Sequence, residues 1–168
     1  MANNDSTSNT IRVALALCIV CSVIVSTAAV LLRPAQQANK DLDRKTNILA
    51  AAGMLEKGDD VLAKFATIKT KAVDLATGKF TDSVDLNTYT QRKAAKDPAL
   101  SKDLGDDDIA KIGSLPKYMI VYVVEGVSGL EKIILPIKGY GLWSTLYGFV
   151  ALESDLNTVA GLGFYEPA

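Results

Sequence analysis

Histidine is absent from all 168 residues. This excludes Ser-His-Asp and Cys-His nucleophile systems, and with them the usual histidine-containing zinc sites. Cysteine is nearly as scarce. Cys18 and Cys21 are the whole supply, and both lie within an N-terminal apolar run. The rest of the chain therefore has neither a disulfide nor a cysteine-ligated iron–sulfur cluster. An excess of one charge sign is also lacking. Beyond Arg33, 135 residues carry 16 Lys+Arg against 18 Asp+Glu. No basic surplus is available to follow a phosphate backbone, which argues against nucleic acid as a partner.

What is present is one long apolar run. Residues 13–32 are twenty consecutive residues without a charge, bounded by Arg12 and by Arg33-Pro34. At about 1.5 Å per residue such a helix covers roughly 30 Å, the hydrocarbon thickness of a bilayer. The apolar core of a cleavable signal peptide is usually shorter, about 7–15 residues. The run therefore reads as an uncleaved signal-anchor. Cleavage near Ser26-Thr27-Ala28-Ala29, releasing an exported binding protein, is the rival reading. Cys18-x-x-Cys21 places two thiols on one helical face. A cluster needs four ligands, so two small residues at a helix–helix contact is the simpler account. Charge leaves the orientation open: Arg33, Lys40, Arg44 and Lys45 follow the run and would hold the domain in the cytoplasm. Asp41 and Asp43 dilute that cluster, and long domains translocate largely regardless of charge.

The organisation read from the sequence is a polar tail over residues 1–12, a transmembrane helix over 13–33, a juxtamembrane helix over 34–58 and one domain over 59–168. Ala38, Leu42, Leu49, Ala52 and Leu55 recur at helical spacing, and Gly58 is expected to stop that helix. Asp59-Asp60 supply N-cap chemistry for a short helix at 61–67. Alternation over 68–75 predicts a half-buried strand ending at Thr77-Gly78. Residues 79–97 give no clear pattern. Asp97-Pro98 reads as a cap followed by proline at a first helical position. The Asp106-Asp107-Asp108 run reads as the acidic start of a helix at 109–112, with a hard cation such as Ca²⁺ as the alternative. Strands are expected at 118–125, 131–137, 146–153 and 158–166, pairing as two hairpins. Helices first and antiparallel strands later indicate an α+β domain.

Between the two hairpins lies Lys138-Gly139-Tyr140-Gly141-Leu142-Trp143-Ser144-Thr145, which holds the only tryptophan. Gly139 and Gly141 let backbone N–H groups approach a ligand's oxygens. Trp143 suits the face of a conjugated ring, Leu142 excludes water, and Ser144 and Thr145 can donate hydrogen bonds. These six residues are the candidate lining for a flavin or another planar cofactor. A turn whose tryptophan plugs the core is the plainer alternative. No residue is assigned a catalytic role, and none a metal.

Several separated blocks resemble one family. They are Cys21-Ser22-Val23-Ile24-Val25-Ser26-Thr27-Ala28-Ala29-Val30 with Arg33, Gln37-Ala38-Asn39, Asn47-Ile48-Leu49 with Ala52-Gly53, and Val73-Asp74-Leu75 with Thr77-Gly78. Further blocks are Tyr89-Thr90-Gln91-Arg92 with Lys96-Asp97, and Ile134-Leu135-Pro136 leading into Gly139-Tyr140-Gly141-Leu142-Trp143-Ser144, then Tyr147 and Phe149-Val150-Ala151-Leu152-Glu153. Across nearly its whole length the chain is similar to NqrC, one of the subunits of the bacterial Na⁺-translocating NADH:quinone oxidoreductase.

The resemblance implies a single-pass protein of the bacterial inner membrane with a periplasmic, FMN-binding-type α+β domain. It implies FMN held to a threonine by a phosphoester bond and relaying electrons within a six-subunit complex. That complex oxidises NADH, reduces ubiquinone and moves Na⁺, so the implied partners are the other subunits and the lipid bilayer. Members of the family continue past the strand ending near Glu166 into Glu-Thr-Pro-Gly-Leu-Gly and, later, Ser-Gly-Ala-Thr-x-Thr, whose last threonine bears the flavin. Neither motif occurs in these 168 residues. The expectation is therefore a C-terminally truncated chain without a threonine to esterify, inactive by itself and destabilised by uncovered strand edges. A membrane-anchored interaction module without flavin is the alternative function.

Overall fold

A computed structural model describes residues 6–167 apart from Ser128 and Trp143. The chain forms two compact units, Met1–Asp41 and Leu42–Ala168. From Thr7 onward the first is the N-terminal part of helix α1 (Thr7–Ala51). Its best 18-residue window has a mean hydropathy of 2.7, and α1 is long and apolar enough to cross a membrane. The large apolar side chains of this unit are exposed all round, from Ile11 through Leu32. An apolar circumference of this kind suits lipid or neighbouring helices.

The sequence predicted separate helices over 13–33 and 34–58; one helix runs from Thr7 to Ala51, with Pro34 inside it. A proline removes one main-chain hydrogen bond, and the helix formers on either side carry the helix through. It stops seven residues before Gly58. Gly53 adopts φ +67°, its N–H donates to Ala50 O at 3.0 Å, and the Met54 N–H reaches back to Leu49 O at 2.9 Å. This paired closure ends the helix at the first glycine able to take a left-handed conformation.

In the second unit the end of α1 is followed by α2 (Val61–Phe65), β1 (Ile68–Asp74), β2 (Lys79–Thr81), α3 (Gln91–Ala94) and β3 (Ser101–Asp103). A 3₁₀ turn at Gly105–Asp107 leads to β4 (Ser114–Pro116), β5 (Tyr118–Gly126), β6 (Gly129–Tyr140), β7 (Thr145–Glu153) and β8 (Val159–Pro167). Six strands form one antiparallel sheet in the order β2-β1-β5-β6-β7-β8, and β3 pairs with β4 separately. The α+β reading stands.

The cross-strand register divides the large sheet into two faces. Ile68, Ala72, Ile120, Tyr122, Val124, Ile134, Phe149 and Ala151 share the first. Ile48, Leu49, Ala51 and Ala52 of the α1 end join these residues to form the core. Ile48, Leu49, Ile134 and Phe149 are essentially solvent-free, each contributing about 1.5–3 kcal/mol of burial. Phe65, Tyr122 and Phe149 meet edge to face, and Phe149 stacks on Tyr165 at 5.1 Å. Gly161 admits the helix end, since a Cβ there would sit 2.2 Å from Ala51 O. Lys132 Nζ donates to Ala52 O at 3.0 Å and so satisfies a terminal helix carbonyl.

Two local expectations are corrected. Asp97-Pro98 starts no helix: Asp97 Oδ1 accepts the Ala99 N–H at 2.9 Å, and β3 begins at Ser101. Residues 109–112 are not helical either. Asp108 accepts the N–H groups of Ile112 at 2.9 Å and Gly113 at 2.5 Å, closing a loop. Four residues before a glycine are too few to nucleate a helix without packing. The two expected hairpins form, β5 with β6 and β7 with β8, and the structure adds a pairing of β6 with β7. This pairing runs along nine positions from Lys132↔Glu153 to Tyr140↔Thr145, so β5 to β8 form a continuous meander. Residues 79–97, unassigned from sequence, contain β2 and α3.

Candidate functional site

Five of the six candidate residues, Gly139, Gly141, Leu142, Ser144 and Thr145, fall on the tip of the β6–β7 hairpin. Gly139 lies within β6 opposite Leu146, and Thr145 opens β7 opposite Tyr140. The Gly141 N–H donates to Ser144 O at 2.8 Å, which closes the turn. A Cβ at Gly141 would lie 3.0 Å from both Leu146 and Ser144 O, so the turn is tight at this position. Leu142 is 89% exposed. Trp143 lies outside the described residues, so its expected stacking role has no observation beside it. Gly139, Gly141, Leu142, Ser144 and Thr145 are thus brought together, but on a protruding turn.

Sequence reading passed over the loop beside this tip. The Tyr140 N–H donates to Ala110 O at 3.1 Å. Lys138 Nζ donates to Ile112 O at 3.3 Å and to Ser114 O at 3.1 Å. Burial depresses the Lys138 pKa, and the nearby Asp108 carboxylate opposes that shift. Backbone donation, first from Ile112 and then from Gly113, holds Asp108 below the usual carboxylate range. Ile109, Ala110, Lys111, Gly139 and Tyr140 line an open groove of about 420 Å³. Ile109 and Tyr140 are both more than half exposed in it. The join was hidden from sequence because it links residues thirty apart through a main-chain bond.

A second cluster positions the loop before β3. Tyr89 Oη donates to Tyr118 O at 2.7 Å, and the Ile120 N–H donates to Gln91 Oε1 at 3.1 Å. Arg92 lies over the Tyr147 ring at 3.7 Å and donates to Tyr165 Oη at 3.1 Å. The block that served only as a family marker in the sequence therefore straps the 82–117 insertion across β5, β7 and β8. Gln91 has a clear physical task. β5 and β6 pair from Tyr122↔Ile134 onward, leaving Ile120 without a β6 partner, while Pro136 has no N–H to offer there.

FMN requires apolar faces about its ring system and donors for its phosphate. The Gly141 N–H is already engaged, Leu142 projects into solvent, and a Cβ at Gly139 would meet nothing within 4 Å. The described residues supply a rim without an enclosure and do not by themselves fit a flavin.

No protein-family model matches the chain. It is 52% identical over 171 residues to the NqrC subunit of the Na⁺-translocating NADH-quinone reductase of Pseudomonas aeruginosa, a match covering 99% of this chain and 66% of that protein. It is 49% identical to the corresponding subunit from Vibrio vulnificus, covering 99% of this chain and 66% of the relative. Among solved structures, NqrC of Shewanella oneidensis superposes with a TM-score of 0.69 at 34% identity, covering 78% of this chain and 61% of the other. The chain belongs to the NqrC family. It spans about two thirds of the length of the curated relatives it matches. The structure of the corresponding subunit from Parabacteroides distasonis, at 23% identity and a TM-score of 0.57, shares the fold.

Proposed function

We propose that this chain acts as a membrane-anchored subunit of a bacterial Na⁺-translocating NADH-quinone reductase. The observation carrying this reading is the 52% identity that runs through 99% of the chain to a subunit of that enzyme. Residues 13–32 of α1 insert in the inner-membrane bilayer. The second unit stands on the periplasmic side and meets the other subunits of the complex. Its redox contribution is an electron relay through FMN, as the family resemblance implies; the remaining chemistry, NADH oxidation, quinone reduction and Na⁺ movement, belongs to the other subunits. FMN supplies one- and two-electron chemistry when bound. The residues described on the β6–β7 tip hold the turn and its neighbouring loop in register.

The test is co-expression of the full chain with the remaining subunits of the P. aeruginosa enzyme. Co-purification is expected; flavin fluorescence that remains on the denatured chain, together with Na⁺-dependent quinone reduction by NADH, would support the relay. A chain that co-purifies without fluorescence supports the second reading, a non-redox interaction module. The exposed Ile109 and Tyr140 in one groove favour that reading. Failure to associate at all defeats both.

A further inference from the structure

We infer that residues 82–117 form a flap that opens as one unit, while the main sheet stays folded, and so uncovers a split between β5 and β6. The inference is independent of the redox role and of the membrane anchor.

The split begins at Pro136. β5 and β6 pair as far as Tyr122↔Ile134. Beyond that position β5 keeps β1 as its partner down to Tyr118, and β6 keeps β7 up to Tyr140. A continued register would set Ile120 against Pro136, which has no N–H to give. The insertion fills the gap. Gln91 Oε1 accepts the Ile120 N–H at 3.1 Å on the β5 side, and Ala110 O accepts the Tyr140 N–H at 3.1 Å on the β6 side. Lys138 Nζ, also on β6, donates to Ile112 O and Ser114 O. Both strands are thus bonded to the insertion where they would otherwise be bonded to each other.

Three features make the insertion a separate opening unit. It is tied together internally: β3 pairs with β4, the Leu104 N–H donates to Gly113 O at 3.1 Å, and the Ser114 hydroxyl donates to Ala95 O, joining α3 to β4. Apart from Tyr89, which packs beside the core, it is held to the sheet by little apolar burial. Ala94 and Pro116 are the buried residues among those described from 82 to 117. A segment that buries so little opens well below the free energy of global unfolding. Its ends also lie close together. Thr81 pairs with Ala72 and Tyr118 with Asp74, so they flank the single strand β1, roughly 10 Å apart across the sheet. The flap can swing on these ends without drawing a main-sheet strand from its place.

The test is amide hydrogen exchange on the full 168-residue chain in detergent, read residue by residue by NMR. The Ile120 and Tyr140 amides belong to main-sheet strands, yet they are expected to exchange with Ala94 and Leu104 of the flap, about tenfold or more faster than the paired Tyr122 and Ile134. Lys138→Met removes a contact to the 112–114 loop and should speed exchange about fivefold or more at Ile120, whose partner Gln91 lies elsewhere on the insertion. Gln91→Leu should do the same at Tyr140. Tyr122 and Ile134 should keep their rates in both variants. Three results overturn the inference: Ile120 and Tyr140 exchanging as slowly as Tyr122 and Ile134, each substitution acting only at its own contact, or equal acceleration at Tyr122 and Ile134, which would make the opening global unfolding.

Discussion

At the residue scale, glycines separate backbone freedom from close approach. Gly139 and Gly161 both lie in strands and neither has a positive φ. Space alone distinguishes them. A Cβ at Gly139 meets nothing within 4 Å, whereas one at Gly161 meets the Ala51 carbonyl oxygen at 2.2 Å. Backbone on both sides cannot yield as a side chain can. Gly161→Ala should therefore destabilise the second unit by about 1–3 kcal/mol, and Gly139→Ala should stay within about 0.5 kcal/mol. Urea unfolding of the full chain in detergent measures both. Equal effects would show that the α1 end is not seated on β8 as described. The sequence made Gly139 a candidate and gave Gly161 no role, because an approach between positions 110 residues apart leaves no local trace.

At the element scale, the helix end was legible in kind but not in position. The helical spacing through Ala52 and Leu55 carried the expected end to Gly58, yet Gly53 already satisfies the last carbonyls of α1. Tertiary packing explains the choice: Ile48, Leu49, Ala51 and Ala52 must end against the sheet, with Met54 and Leu55 packed beside them. Gly53 has φ +67° and open space around it, so its cost on substitution is purely conformational. Gly53→Ala should lower stability by about 1–2 kcal/mol and Gly53→Asn by less, since asparagine tolerates this region. Thermal melting of the two variants compares them directly. The strands were read well from β-branched runs, within a residue or two for β1, β5 and β7. Two short predicted helices failed because capping residues close Asx turns as readily as they open helices.

At the scale of the whole molecule, the missing histidine returns as a property of stability. Asp59, Asp85, Asp108, Asp155 and Glu125 are all held below their ordinary pKa values, with hydrogen bonds as the leading cause: from Lys64, Asn87, Ile112, Thr158 and Lys69 respectively. A depressed folded-state pKa stabilises above the unfolded values of 3.8 and 4.5 and loses that stabilisation as pH falls through the folded-state values. With no imidazole to titrate, the melting temperature should stay level from about pH 8 to about pH 5 and decline below about pH 4. A transition near pH 6.5 would contradict this.

By itself the sequence determined the apolar run, the exclusion of histidine and cysteine chemistry in the domain, the meander's strands and the family blocks. These depend on composition and on spacing within a few residues. Only the tertiary structure decided that the candidate cofactor stretch is an exposed hairpin tip beside the 109–112 loop. It also turned Tyr89-Thr90-Gln91-Arg92 into a strap. Each of these is set by which distant strands pair, and pairing is chosen by the burial of a whole sheet face, a sum no local window contains.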